Sequence, residues 1–361
     1  MKIKLFDPHV GKAEENAVKK ILYSKSWASG AGGGNVLEFE KEYSNYINCK
    51  QSIAVNSATS ALNLALSLVD IKNKDVIVPS LTFVSTVNAI VINGGNPIFV
   101  DVDPTTLCIN KKTIEEKISP KTKLILPVHF GGLSCNMHDI KKISIKHNLD
   151  VIDDAAHAAG TKFKGKKIGS LNFASCFSFH PVKNLAMPTG GIITLNDRNF
   201  KKLTKILLEK RWCGIKNRTF TGYDVSTVGN NYYMNEFSAA IGRIQLKKLD
   251  KLNKIRLKIA KIYDQELNCN LKMPYNKECS YHLYWIRVKN RNKFRKILAK
   301  ENIETGIHYP PVHNFSFYKN KNHSKLDVTD TVTREIVTVP IHPNLSDSQI
   351  NKIIKIINRN I

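Results

Sequence analysis

Short runs of apolar, mostly β-branched residues recur through the first half of this chain, each followed by a turn or by helix formers. They are Ile53-Ala54-Val55, Val76-Ile77-Val78, Ile98-Phe99-Val100, Leu124-Ile125-Leu126, Val151-Ile152, Cys176-Phe177-Ser178-Phe179 and Ile192-Ile193-Thr194-Leu195. Several are apolar on successive residues, the pattern of strands covered on both faces. Between them lie segments such as Ser60-Ala61-Leu62-Asn63-Leu64-Ala65-Leu66. Strand alternating with helix predicts an α/β fold with a mainly parallel sheet. In such sheets ligands bind beyond the carboxyl ends of the strands, so those ends are where chemistry is to be sought.

From about Glu236 the pattern changes. Ile241, Ile244, Leu249, Leu252, Ile255, Ile259 and Ile262 recur at mostly three- and four-residue spacing and predict one long amphipathic helix. A strand-like stretch (Tyr281 to Val288), a helix (Asn292 to Lys300) and a last helix after Ser346 follow, with Ser346 and Gln349 as its capping box. The 361 residues then divide near position 248, inside the long helix, into a larger domain (1–248) and a smaller one (249–361).

No run approaches the ~18 consecutive apolar residues of a membrane span. The opening Met1-Lys2-Ile3-Lys4-Leu5-Phe6-Asp7-Pro8 breaks its apolar stretch too early for a signal peptide, so the expectation is a cytoplasmic protein. The seven cysteines form no CxxC pair, which favours reduced thiols packed as small hydrophobes over disulfides or a metal site. Charge is the outlier: 55 Lys plus Arg against 30 Asp plus Glu give +25. Such an excess suits nucleic acid, an anionic membrane or a phosphorylated substrate. The lysines, however, are scattered over helix-like stretches such as Lys247-Lys248-Leu249-Asp250-Lys251, in a chain rich in Lys, Asn and Ile together. Without clustering, the charge points to no nucleic-acid or membrane partner.

Four strand ends carry candidate chemistry. At Asn56-Ser57-Ala58-Thr59-Ser60 a strand turns into a helix, whose free amides, with the Thr59 and Ser60 hydroxyls, can hold a phosphate; ordinary N-capping is the alternative. Val151-Ile152-Asp153-Asp154-Ala155-Ala156-His157 ends a strand with two acids, suited to a cationic ligand nitrogen, to a helix cap or to an ion pair. Ser178-Phe179-His180-Pro181-Val182-Lys183 follows another strand; desolvated there, Lys183 becomes a nucleophile for Schiff-base chemistry, whereas exposed it is a surface charge. Phe83, after Pro79-Ser80-Leu81-Thr82, can cover a planar cofactor or sit in the core. A phosphate cup, an acid, a lysine and a stacking ring together suit pyridoxal phosphate. Gly30-Ala31-Gly32-Gly33-Gly34 is not G-x-G-x-x-G, because Asn35 stands sixth; a flexible loop near the cleft mouth is expected there.

Taken together these segments resemble the DegT/DnrJ/EryC1/StrS family of nucleotide-sugar aminotransferases, of the aspartate-aminotransferase fold (fold type I). The resemblance runs nearly end to end, through Trp27-Ala28-Ser29-Gly30, Pro127-Val128-His129, Asp153-Asp154-Ala155-Ala156-His157, Ser178-Phe179-His180-Pro181-Val182-Lys183-Asn184, Gly229-Asn230-Asn231-Tyr232-Tyr233-Met234 and Ile307-His308-Tyr309-Pro310. It implies a large domain with a mainly parallel seven-stranded sheet between helices, plus a smaller C-terminal α/β domain. It further implies that Lys183 bonds the pyridoxal phosphate and shuttles protons, and that Asp154 pairs with the pyridinium nitrogen. His157 would stand near the ring oxygen, Phe83 on the ring, and Ala58, Thr59 and Ser178 around the phosphate. Asn231 would reach the phosphate of a neighbouring subunit in a homodimer, and His308 and Tyr309 would approach the sugar nucleotide. The implied reaction moves an amino group from glutamate to a keto-sugar nucleotide, for a surface glycan or a glycosylated product.

Two departures stand out. Leu185-Ala186-Met187-Pro188-Thr189-Gly190-Gly191 replaces the family's Thr-Gly-Glu-Gly-Gly-like stretch, and Tyr233 replaces a common Arg or Lys. A dehydrating subgroup carries His in place of the lysine, so Lys183 argues for amination; the Lys183–Asp154 pair likewise argues against a non-catalytic, nucleic-acid-binding use of the fold.

Overall fold

The computed structural model describes residues 2–319 and 325–361. Each of the seven apolar runs is a strand of one sheet: β1 (Gln51–Val55), β2 (Asp75–Pro79), β3 (Asn96–Val100), β4 (Thr122–Ile125), β5 (Asp150–Asp154), β6 (Ala174–Ser178) and β7 (Gly191–Leu195). Their spatial order is β1-β7-β6-β5-β4-β2-β3. β7 runs antiparallel to both neighbours, β1 and β6, and the remaining pairings are parallel.

The pleat sends alternate side chains to opposite faces, and both faces are buried. Ala54, Ile77, Ile125, Val151, Phe177 and Ile192 join the core on one side. Ile53, Val55, Val76, Val78, Leu124, Ile152, Cys176 and Ile193 join the core on the other. That double burial is why the strands read as continuous apolar runs.

The long helix spans Glu236–Glu266 without a break through residue 248, and the Asn235 side chain caps it by accepting from Ser238 N. Its buried face runs through Ala239, Gly242, Leu246, Leu249 and Leu252, while Ile241 and Ile244 are only half-buried. Leu249, Leu252 and Ile259 of the expected stripe are buried, and at Gly242 Met187 approaches so closely that a Cβ there would stand 2.0 Å from the Met187 Cε.

Beyond the long helix, β8 (Tyr284–Arg287) pairs antiparallel with β9 (Ile336–Val339), flanked by helices Arg291–Lys300 and Asp347–Asn358. Ser346 and Gln349 form the expected capping box. The N-terminal residues lie against this part of the molecule: Ile3 N donates to Asn302 O (2.8 Å), and Glu304 N donates to Ile3 O (2.9 Å). A division in chain order at 248 does not convey that contact. Among the described residues no helix is long and apolar enough to cross a membrane.

The glycine-rich loop is anchored, contrary to the flexible loop expected. Buried Arg211 donates to Ala31 O (3.2 Å), to Ala54 O (3.0 Å) and to Glu40 (2.7 Å). Gly30 lies against the Trp212 ring, where a Cβ would come within 2.1 Å, and Asn35 N donates to Glu236 (2.7 Å). Burial pushes the Glu40 carboxyl up and the Arg211 charge pulls it down, and the Arg211 hydrogen bonds join the loop, the helix Gly34–Ile47 that carries Glu40, and β1.

Candidate active site

Where the carboxyl ends of β1, β2, β5 and β6 meet the start of β7, they enclose a cavity of about 300 Å³. Its first wall is the N-terminus of the helix Ala58–Leu66. Ser57 caps that helix by accepting from Ser60 N (3.1 Å), and the Ser60 hydroxyl is spent on Asn56 Oδ1 (2.6 Å). Capping and anion binding therefore coexist here. Ser57 and Ser60 close the turn, while Ala58 and Thr59 line the cavity with first-turn amides that have no partner within the helix. Gly191 is paired with Val55 on one side and Ser178 on the other, directly behind this cradle. A Cβ on Gly191 would stand 2.4 Å from the Ser57 carbonyl carbon and 2.6 Å from Ala58 N. Gly191→Ala should therefore displace the cradle and weaken cofactor binding about tenfold or more, read by titrating cofactor-free protein with pyridoxal phosphate.

The adjacent acids at the end of β5 separate by the pleat. Asp153 points away, accepting from Asn172 (2.6 Å) and Ser175 (2.7 Å) in the core. Asp154 faces the cavity, with Thr86 Oγ1 donating to Oδ2 (2.7 Å) and Ala156 N to Oδ1 (3.0 Å). Burial raises the Asp154 carboxyl above its ordinary value; the Thr86 and Ala156 hydrogen bonds and the Lys183 charge pull it back. A carboxylate held this way can keep a proton on a facing ring nitrogen.

Lys183 enters from a turn closed by its own amide on His180 O (2.8 Å). Its neighbour Asn184 donates to Ser280 O (2.7 Å) and to Asn253 of the long helix (2.9 Å), which fixes the loop. Lys183 is half-buried and lines the cavity. Burial brings the ammonium down to about 8 against the opposing pull of Asp154. An amine lowered this far carries a fraction of free base near neutrality, which Schiff-base chemistry requires. In cofactor-free protein its acetylation by acetic anhydride should rise with pH to a midpoint near 8, well below that of surface lysines, as read by peptide mass spectrometry.

Phe83 presents its ring to the cavity and is 55% exposed, so it is a cavity face and not a core residue. His157 accepts from Gly131 N at Nδ1 (3.2 Å), which leaves Nε2 to meet the Tyr309 hydroxyl (3.0 Å). Burial, reinforced by the Lys183 and His308 charges, keeps His157 neutral. Ser178 and Tyr309 also line the cavity. His308 does not. It turns to Thr338 Oγ1 (2.8 Å), and burial takes its imidazole down to about 4. Asn231 is exposed and outside its own chain's cavity, its carbonyl accepting from Asn56 Nδ2 (3.2 Å).

The altered loop after Lys183 is a tight plug. Met187 N donates to Phe179 O (2.8 Å), Phe179 N to Gly190 O (2.9 Å), and the Thr189 hydroxyl to Asn56 O (2.5 Å). Two cavity partners escaped the sequence reading. Thr86, one turn beyond Thr82, carried a weak helical-spacing signal. His282, at 3.4 Å from Lys183 Nζ, is 99 positions away in sequence and carried none.

Pyridoxal phosphate fits this donor set. A cradle of free first-turn amides, backed by Gly191 where a Cβ would intrude, a buried carboxylate and an open aromatic face all line one cavity.

Comparison with known proteins agrees. The profile of the DegT/DnrJ/EryC1/StrS aminotransferase family matches residues 8–358. The spore coat polysaccharide biosynthesis protein SpsC of Bacillus subtilis is 34% identical over 96% of this chain and 94% of its own. Among solved structures, Helicobacter pylori PseC, an aminotransferase involved in the biosynthesis of pseudoaminic acid, superposes with a TM-score of 0.93 at 27% identity, covering 99% of both chains. The pyridoxal-phosphate form of the putative sugar aminotransferase Spr1654 from Streptococcus pneumoniae superposes with a TM-score of 0.93 at 26% identity, over 99% of this chain and 98% of that one. The near-complete profile match and the identity shared with SpsC show that this chain belongs to the DegT/DnrJ/EryC1/StrS aminotransferase family and is a sugar aminotransferase dependent on pyridoxal phosphate.

Proposed function

We propose that the protein transfers an amino group from glutamate to a keto-sugar nucleotide, with Lys183 as the lysine that bonds the cofactor. The observation that carries this reading is the cavity shared by Lys183, Asp154 and the free amides of Ala58 and Thr59. Bound there, pyridoxal phosphate supplies an electron sink that loosens the α-proton of an attached amino group. Asp154 keeps a proton on the ring nitrogen. Ala58 and Thr59 amides and the Ser178 hydroxyl hold the phosphate, and Phe83 covers the ring. Neutral His157 donates from Nε2 to an oxygen at the cavity wall. Once free, Lys183 Nζ takes the proton from the donor's α-carbon and delivers it within the same cavity; with the keto sugar it runs the opposite way.

Tyr309, at the cavity wall, approaches the sugar side, carried by the smaller domain of residues 249–361, while His308, turned to Thr338, lies edge-on against the Tyr309 ring. Asn231 serves the phosphate of a second subunit. Its exposure, with that of Phe220, Tyr223 and Val228 in the same stretch of chain, supports a homodimer with shared sites. The relatives' parts in spore coat polysaccharide and pseudoaminic acid biosynthesis support a surface-glycan sugar.

The test is incubation with glutamate and a panel of nucleoside-diphosphate keto sugars, followed by mass spectrometry. A product in which the ketone oxygen has become an amino group is expected. A product lacking only the elements of water would establish a dehydratase instead.

A further inference from the structure

His282 is 2% exposed and makes one hydrogen bond among the described residues, at 3.4 Å between Nε2 and Lys183 Nζ. Its Nδ1 is buried without a protein partner. A ring kept only for packing would be better served by an apolar side chain, since an imidazole nitrogen left unpaired in the interior costs stability. The polar ring is therefore retained for what it does at Nε2.

Its position is set from several sides. Phe6 stacks on it (centroids 5.5 Å apart, planes 16° apart), and the His157 ring lies 4.6 Å away. Leu283 N donates to Gly131 O (3.1 Å), and Ser280 O accepts from Asn184, the residue after Lys183. The segment carrying His282 is thus tied to the same loop that carries Lys183. Burial keeps the imidazole neutral, so it can act as an acceptor.

We propose that His282 is a positioning residue that accepts a hydrogen bond from the Lys183 amine whenever that amine is not bonded to the cofactor, holding Nζ at the reacting carbons instead of letting it swing toward the Asp154 carboxylate. The inference rests on Lys183 being the bonded lysine. The other ionisable groups facing the pair are Asp154 at the end of β5, His157 just beyond it, His180 at the turn before Lys183, His308 and Tyr309 on the C-terminal loop, and Arg256 of the long helix.

The test compares His282→Phe, which keeps a ring for Phe6 to stack on, with His282→Gln, which restores an acceptor. His282→Phe should lower kcat about a hundredfold while KM for either substrate stays within about twofold. In the cofactor-free variant, the midpoint for acetylation of Lys183 should fall by about one pH unit, because an acceptor for the charged form has been removed. His282→Gln should recover most of both. Unchanged kcat and an unchanged midpoint in a folded His282→Phe protein would overturn the proposal.

Borohydride fixation of the cofactor to Lys183 in unaltered protein separates the two levels: fixation elsewhere sinks the lysine assignment, whereas fixation on Lys183 with a silent His282→Phe sinks His282 alone. A measurement on unaltered sequence covers a variant that does not fold. In protein labelled with nitrogen-15 histidine, the His282 Nε2 resonance, identified by its absence from His282→Gln, should move when pyridoxal phosphate is loaded. A resonance that does not move contradicts the inference.

Discussion

Lys183→Ala should keep its fold and still take up pyridoxal phosphate, yet lose turnover by at least about 10⁴-fold, because in the proposed mechanism one side chain supplies both the covalent hold and the proton transfer. The phosphate cradle is built from Ser57, Ala58, Thr59 and the start of β7, none of which depends on the Lys183 side chain. Cofactor should therefore bind, but borohydride should no longer fix it to the protein. Removing the cation also takes from Asp154 one of the influences that oppose its burial. The checks are steady-state rates, a thermal melt and the mass of borohydride-treated protein. A fully active Lys183→Ala enzyme would end the mechanism.

Asp154→Asn should lower turnover by about 10³-fold while leaving the cofactor-free protein no less stable. In the proposed mechanism the catalytic loss follows from replacing the charge that would pair with the ring nitrogen by a neutral amide at a buried position. Stability should hold because burial already disfavours the Asp154 charge, and the asparagine oxygen can keep the hydrogen bond from Ala156 N while the Thr86 hydroxyl turns to accept. Such an opposition between stability and activity is expected where a buried charge is kept for chemistry. A melt of the cofactor-free variant and its turnover number provide the check. A large fall in Tm together with near-normal turnover would reverse the assignment of Asp154 from function to structure.

The sheet was legible because parallel strands between two helical layers are apolar on both faces, so runs such as Val76-Ile77-Val78 stand out without alternation. The Lys183, Phe83 and Ala58–Thr59 positions were legible because each follows such a run at a carboxyl end, where this class of sheet binds its ligands. The residue types alone left Asp153 and Asp154 together and the family resemblance singled out Asp154; the pleat supplies the physical reason, since the two side chains meet opposite faces.

Other features depended on contacts that no local pattern encodes. His282 lies among Tyr281 and Leu283, both in the core, and its neighbourhood reads as a buried strand approach. The long helix was legible from its stripe, of which Leu249, Leu252 and Ile259 are buried, but Gly242, where Met187 packs, is invisible to hydrophobic periodicity. In the same way Gly30–Gly34 read as flexible from composition, although Arg211 and Glu236, each distant in sequence, hold it.

The most direct test of the central claim is the absorption spectrum of the holoenzyme before and after glutamate is added without any sugar, with borohydride treatment and peptide mapping at both points. The account predicts a cofactor band near the visible edge that borohydride fixes onto the peptide containing Lys183. Glutamate should replace it with a shorter-wavelength band and abolish the fixation. A band that glutamate leaves unchanged, or a fixed label on a lysine other than Lys183, would contradict it.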